Sequence, residues 1–152
     1  MVHFSDTGIV AYLLGIETPK QMNRDPLMGQ IFENLVVTEA LKAEYDRNVL
    51  DSLFFFRTSN GVEVDLMQKR PEGMKLFEIK SSMSMNNDFL KGMNYYKTRF
   101  GAYSTSVIYA GLNVPGYLGS SYLDFHDAYD QFSPKEEKFR LSLSNFSDPQ
   151  LS

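Results

Sequence analysis

Two periodicities organise the apolar positions of this chain. From Gly29 to about Tyr45, "GQIFENLVVTEALKAEY" repeats apolar residues at helical spacing and predicts the longest helix. Beyond it the apolar runs shorten. "LFFFRT" (53–58) reads as a buried strand, Ser59-Asn60-Gly61 as a turn, "VEVDLMQK" (62–69) as a second strand, "RPEG" (70–73) as a turn and "MKLFEIKS" (74–81) as a third strand. "NDFLKGMNYYKTRF" (87–100) predicts another helix with Gly92 as its weak spot. "STSVIYAG" (104–111) follows as a fourth strand and "SSYLDF" as a fifth. Ahead of all these, "DTGIVAYLLGIETPKQMNRDPLMG" suggests a short helix capped near Asp6 or Thr7 and then a polar, proline-containing loop. The order α-β-β-β-α-β predicts an α/β or α+β domain around one mixed sheet, of which α/β is the expectation taken forward. Residues 1–28 form its lead-in helix and loop, 29–125 its core and 126–152 a polar tail with no assigned element.

Charge interrupts this pattern where a sheet should be apolar. Side chains alternate faces along a strand, so Glu63, Asp65 and Met67 share one face of the second strand while Val62, Val64 and Leu66 share the other. In the third strand Leu76, Glu78 and Lys80 lie opposite Phe77 and Ile79. If "RPEG" is a four-residue hairpin loop, Lys69 pairs with Met74, and counting inward sets Asp65 opposite Glu78 and Glu63 opposite Lys80. Like charges directly opposed destabilise a hairpin. Asp65 and Glu78 therefore call for a shared proton, a cation from elsewhere in the chain or a bound divalent metal.

The first helix adds a carboxylate. With Glu33 at zero on a helical wheel, Val36, Val37, Ala40 and Leu41 fall within about 80° of it, so Glu33 lies in the apolar stripe. Glu44 falls at a similar angle, three turns on, where the helix end can reach solvent past the sheet edge. Glu39 lies about 120° away, on the wet face. A lone buried carboxylate is costly unless paired or metal-bound. Oxygen-only ligands favour a hard cation, Mg²⁺ or Mn²⁺, and there is no cysteine and no paired histidine to favour zinc. The structural alternative is an ion network on the sheet surface, with Glu63 and Lys80 as a cross-strand pair. Arg57 ends the first strand as a salt-bridge partner more readily than as a phosphate clamp. Ser81 and Ser82 suit loop capping. Lys91, Lys97 and Arg99 suit a solvated helix face, and Tyr95, Tyr96, Phe100 and Tyr103 suit the core better than a base-stacking platform.

Composition narrows the classes. The chain of 152 residues fits one domain, and 43% hydrophobic residues with 14% aromatics describe a globular fold. No apolar run approaches the ~18 residues of a membrane span, and the opening "MVHFSDTGIVAYLL" lacks signal-peptide features. With no cysteine, a reducing, cytoplasmic setting is expected. The net charge of −4 argues against a general polyanion-binding surface. Residues 57–100, however, hold 8 basic and 5 acidic side chains, a local basic patch in an acidic chain. No Ser-His-Asp arrangement and no metal-ligand spacing around His3 and His126 is visible.

At Glu33, Asp65, Glu78 and Lys80 the sequence resembles the PD-(D/E)xK nuclease-like superfamily. That resemblance implies a restriction-endonuclease-like core: a helix with an acidic residue, a three-stranded meander bearing Asp and Glu-x-Lys, then a helix and a strand. The "PD" half is reduced to Asp65 preceded by Val64. With the flanks "FSDTGIVAYLLG", "GQIFENLVVTEALK", "FFFRTSNGVEVDLM" and "LFEIKSS", the chain looks like an uncharacterised domain at the C-terminus of prokaryotic AAA+-type ATPases, from about Phe4 to Tyr109. The resemblance implies a fragment whose ATPase and winged-helix modules lie upstream; no G-x-x-x-x-G-K-[ST] occurs here, so ATP would bind only through that module.

As a nuclease-like domain, it would cleave nucleic-acid phosphodiesters with Mg²⁺ or Mn²⁺. Asp65, Glu78 and the Ile79 carbonyl would be ligands, Glu33 would bind a second metal or position water, and Lys80 would assist the attacking hydroxide. The rival expectation is a catalytically inactive module for homo-oligomerisation or for binding its own ATPase, with "GLNVPGYLGSSYLDF" presenting exposed aromatics.

Overall fold

A computed structural model describes residues 27–49 and 51–133. The helix expected near Asp6 lies outside them, as does the chain after Ser133. The first helix, α1 (Met28–Asp46), buries Ile31, Phe32, Val36, Val37, Ala40 and Ala43 along the stripe its spacing predicts. Three strands follow, β1 (Leu53–Arg57), β2 (Glu63–Arg70) and β3 (Gly73–Lys80). A 3-10 turn at Asn87–Leu90 leads into helix α2 (Lys91–Phe100) and strand β4 (Ser104–Tyr109). The described residues end with β5 (Val114–Tyr117), β6 (Ser120–Asp124), a 3-10 turn at Phe125–Asp127 and a short helix α3 (Ala128–Phe132).

The six strands form one mixed sheet in the order β1-β2-β3-β4-β6-β5. The β1–β2–β3 meander is antiparallel, β3, β4 and β6 run parallel, and β5 returns antiparallel to β6. The domain is therefore α/β, a mixed sheet between helical layers. On one face α1 and α3 bury Phe32, Val36, Val37 and Ala40 against Leu66, Phe77, Ile79 and Ile108, with Ala128 and Phe132 closing the layer. On the other face the 3-10 turn and α2 pack Leu90 and Met93 against Val64, Met67, Leu76, Val107 and Tyr122. The core thus continues past residue 125 through α3. No helix among the described residues is long and apolar enough to cross a membrane.

Three local expectations change. "LFFFRT" is a strand but not a buried one. Among the described residues β1 is the sheet's edge, and Phe55 is 78% exposed with Phe54 also exposed. The hairpin loop is Pro71-Glu72 alone, because Arg70 pairs with Gly73. Lys69 still pairs with Met74, so the inferred register holds from there to Leu66↔Phe77, where the ladder ends short of the expected Asp65–Glu78 and Glu63–Lys80 pairs. "VPGY" is a strand the sequence hid behind Pro115 and Gly116. It joins β6 through Leu118-Gly119, both at positive φ, as a two-residue primed hairpin turn requires.

Gly92 is more than a weak spot in α2. A Cβ there would run into the Glu63 carbonyl oxygen, so the glycine lets the helix lie directly on the backbone of β2. Gly92→Ala should therefore destabilise the domain by roughly 1–3 kcal/mol, despite the ~1 kcal/mol that alanine gains in helix propensity. Urea denaturation of the two proteins checks this.

Candidate functional site

A β-bulge builds the site. On β1, Phe54 pairs with Met67 and Phe56 with Val64, so Asp65 and Leu66 together oppose Phe55. The extra residue breaks strict alternation. Val64 and Met67 both pack on the α2 face, while Leu66 packs on the α1 face. The expected grouping of Val64 with Leu66, and of Asp65 with Met67, is thereby corrected. β3 has no such bulge towards β4, and its parity stands: Leu76 packs on one face, Phe77 and Ile79 on the other.

The β2–β3 ladder runs from Arg70↔Gly73 to Leu66↔Phe77. Next to it, the Ile79 backbone N–H donates to Asp65 Oδ2 at 2.8 Å. A side-chain carboxylate thus takes a hydrogen bond that a strand backbone would otherwise take. Along a strand a residue's N–H and C=O point to the same side, so the Ile79 carbonyl is directed towards β2 as well.

Lys80 closes the cluster. Its Nζ lies 2.7 Å from Glu78 Oε1 and 3.1 Å from Asp65 Oδ2. The like-charge conflict between Asp65 and Glu78 is thus met by a cation from the chain. Glu63 does not pair with Lys80; it pairs instead with Arg57 on β1, Nε to Oε1 at 3.0 Å. The salt-bridge reading of Arg57 holds, and the Glu63–Lys80 pair is corrected, because β2 and β3 cease to be paired beyond Leu66. Ser82 caps its loop by accepting from the Ser84 N–H.

Glu33 projects into the same field from α1. Its Oε1 is buried without a hydrogen-bond partner among the described residues, and so is Glu78 Oε2. Burial, then the nearby Asp65 charge, pushes the Glu33 carboxyl up to about 7 against the pull of Lys80. Burial and Asp65 likewise raise Glu78, outweighing its hydrogen bond from Lys80. At Lys80 burial acts downward, but Asp65 and Glu78 together hold the ammonium above its usual value. The structure therefore brings Glu33, Asp65, Glu78 and Lys80 into one electrostatic unit.

The carboxyl shifts have a sign that can be measured. A carboxyl raised above its unfolded pKa binds protons more tightly in the folded state, so stability falls as pH rises through the interval. Its contribution is fully present below about 4.5 and lost as pH passes about 7. The expected result is a Tm that declines between pH 5 and pH 8 at constant ionic strength. Glu33→Gln should flatten that slope.

Residues 28–123 match the family described as a domain of unknown function, DUF4143. The chain belongs to this family. All four residues of the cluster fall inside the matched part of the DUF4143 domain. No curated protein and no solved structure matches the chain.

The donor chemistry of the cluster suits a hard cation, since every candidate ligand is an oxygen and two of the oxygens are buried without partners among the described residues. Among the described residues no three or more His, Cys, Asp or Glu side chains converge as a metal-holding group. Lys80 stands between Asp65 and Glu78, where a cation is needed. Of the other positions singled out in the sequence, Lys91, Lys97 and Arg99 lie on the exposed side of α2, as expected. Phe100 and Tyr103 are exposed and Tyr95 and Tyr96 half-buried, so the expected aromatic core is only partly formed.

Sequence reasoning missed a second polar centre. Glu44, expected to reach solvent, is 3% exposed. Its Oε1 accepts from Gln68 Nε2 at 2.7 Å and contacts Arg47 and Arg70, each at 3.1 Å, while Ser52 Oγ donates to Oε2. Gln68 and Arg70 also donate to the Phe132 carbonyl, which ties α3 to β2. Its place in the apolar stripe beside Val37, Ala40 and Leu41 was the available signal.

Proposed function

We propose that this DUF4143 domain is a nuclease-like phosphodiesterase that hydrolyses nucleic-acid backbones with a bound Mg²⁺ or Mn²⁺. The observation that carries the reading is the pair of buried carboxylate oxygens, on Glu33 and Glu78, that find no partner among the described residues beside Asp65 and Lys80. Buried polar atoms are ordinarily satisfied, and the exceptions call for an explanation such as a missing ion. The α-β-β-β-α-β order and the resemblance to PD-(D/E)xK enzymes support the same reading.

Asp65, Glu78 and the Ile79 carbonyl would hold the ion, with Glu33 beside it. Such an ion supplies charge neutralisation on a phosphoryl oxygen and lowers the pKa of bound water. Glu33 Oε1, with its carboxyl near 7, is poised to take a proton from an attacking water at neutral pH. The Lys80 ammonium, held cationic by its neighbours, stabilises negative charge developing on the phosphate. In the cell the domain would act as the C-terminal unit of an AAA+-type ATPase, with ATP bound by that module, a reading that rests on the order and spacing of the motifs. The test is cleavage of labelled DNA and RNA with millimolar Mn²⁺. Glu33→Gln should lower the rate by about 100-fold while leaving Tm at pH 5 unchanged. Equal rates for the variant and the parent would remove Glu33 from the mechanism.

A second reading is favoured by one observation. Phe54 and Phe55 are exposed on the edge strand β1, beside the exposed Leu41 and Tyr45 of α1. Such an edge suits pairing with a second copy or with the ATPase module. Metal-independent dimerisation in sedimentation velocity, lost in Phe55→Lys, together with no cleavage, would favour this reading.

A further inference from the structure

The flank of α2 that faces β1 carries cations and aromatic rings in alternation. Lys91, Tyr95 and Arg99 recur every fourth residue and so form one line along the helix. Arg99 stacks its guanidinium 3.6 Å from the centre of the Tyr95 ring. Phe56, on β1, lies 6.3 Å from Tyr95 and 6.0 Å from Phe100, centre to centre. Phe100 nevertheless stays 63% exposed. Arg57, the next residue on β1, is an exposed cation whose partner is Glu63.

The strip is joined to the cluster described above. Gly92 seats the start of α2 on the Glu63 backbone, and the Glu63 carboxylate bears on Glu33. At the far end of α2 the chain bonds back to the hairpin end of β3, Tyr103 N–H to the Met74 carbonyl at 2.8 Å. The strip therefore leads away from the carboxylates along the whole length of the helix. The ion pairs of Arg57 with Glu63 and Lys91 with Asp88 are exposed, and pairs of that kind contribute little and exchange readily for another anion.

We propose that this strip docks single-stranded nucleic acid and delivers it to the Glu33–Asp65–Glu78–Lys80 cluster, an inference that rests on the phosphodiesterase reading for the strand's destination. Charge complementarity selects the occupant. Along the strip the cations Arg57, Lys91 and Arg99 face only Glu63 and Asp88, both held in exposed pairs, so in a chain of net charge −4 a polyanion has this line of cations to follow. The rings select the single strand. Exposed aromatics beside cations stack unpaired bases, whereas in a duplex the base faces are already covered.

The experiment is fluorescence anisotropy on the full 152-residue chain. Labelled single-stranded DNA, single-stranded RNA and a DNA duplex of about 12 nucleotides or base pairs are each titrated in EDTA, so that binding is read without cleavage. Saturable binding of the single strands is expected, weaker for the duplex, with a log–log salt slope of about −2, as three phosphate contacts on a single strand produce. The surface variant Lys91→Glu, Arg99→Glu should weaken single-strand binding at least tenfold and reduce the slope. Phe100→Ala, at an exposed position, should weaken it without changing the slope. Thermal melting of each variant shows that it is folded.

No binding at 0.1 M salt and below, or equal binding by the charge-reversed variant, would overturn the proposal, as would a duplex bound as tightly as the single strand. Single-strand binding in EDTA with no cleavage when metal is added would leave the strip in place and remove the phosphodiesterase reading. Cleavage unaffected by the charge reversal would do the opposite.

Discussion

Glu44→Ala should destabilise the domain by about 3–5 kcal/mol, the range for breaking a buried ion pair from one side. Glu44 holds Gln68, Arg47, Arg70 and Ser52 through its two oxygens, in a site almost closed to water. Truncation removes one shared acceptor from two guanidinium groups, an amide and a hydroxyl at once. It also weakens the anchorage of α3, because Gln68 and Arg70 share their donors between Glu44 and the Phe132 carbonyl. A domain of this size has about 5–15 kcal/mol in total, so the loss is a large fraction of it. Urea denaturation should show the midpoint falling sharply, with Glu44→Gln intermediate because it keeps the shape and one acceptor. A midpoint within experimental error of the parent would mean that α3 is held by apolar contacts alone.

Lys80→Met should have the second largest effect, and its sign depends on pH. Lys80 is the cation set between Asp65 and Glu78, and it also lowers the proton affinity of Glu33. Removing it leaves three neighbouring carboxylates to repel one another. At pH 8 a cost of about 2 kcal/mol is expected, less than for a fully buried pair because the Lys80 side chain is 34% exposed. At pH 5 the raised carboxyls of Glu33 and Glu78 take up protons and most of the loss should disappear. Millimolar Mn²⁺ should also rescue the variant at pH 8, and by more degrees than it stabilises the parent, since the ion supplies the missing positive charge. Thermal melts at the two pH values, with and without metal, separate the cases. A loss that is the same at pH 5 and pH 8 would show that Lys80 contributes packing rather than charge.

The contrast between Glu33 and Glu44 explains how much of the site could be read from the sequence. Both sit in the apolar stripe of α1, three turns apart, and the helical period identifies both. Their fates differ because of residues that the period cannot supply. Glu44 meets Gln68 and Arg70 from β2 and Ser52 from the β1 approach, whereas Glu33 Oε1 meets no donor among the described residues. Period-two alternation worked for β3, where the pairing is regular. It failed for β2, where the bulge at Asp65-Leu66 turns one strand's faces relative to the other. That bulge, invisible in the residue types, is what sets Asp65 beside the Ile79 N–H and Lys80.

The edge position of β1 was hidden for a different reason. An apolar run such as "LFFF" reads as buried, but whether neighbours cover both its sides is decided by the whole sheet, and β1 ends the order. The strand "VPGY" was concealed by its own proline and glycine, which an edge strand tolerates and a central one does not. The primed turn at Leu118-Gly119 then brings it back onto β6.

The most direct test of the central claim is calorimetric titration of Mn²⁺ and Mg²⁺ at pH 8 into the parent chain and the Asp65→Ala, Glu78→Ala variant. Saturable binding by the parent, absent from the variant, is the predicted result, and metal should raise the parent's Tm alone. No binding by the parent at millimolar metal, or identical heats from the two proteins, would contradict it and leave the four residues as a structural ion cluster.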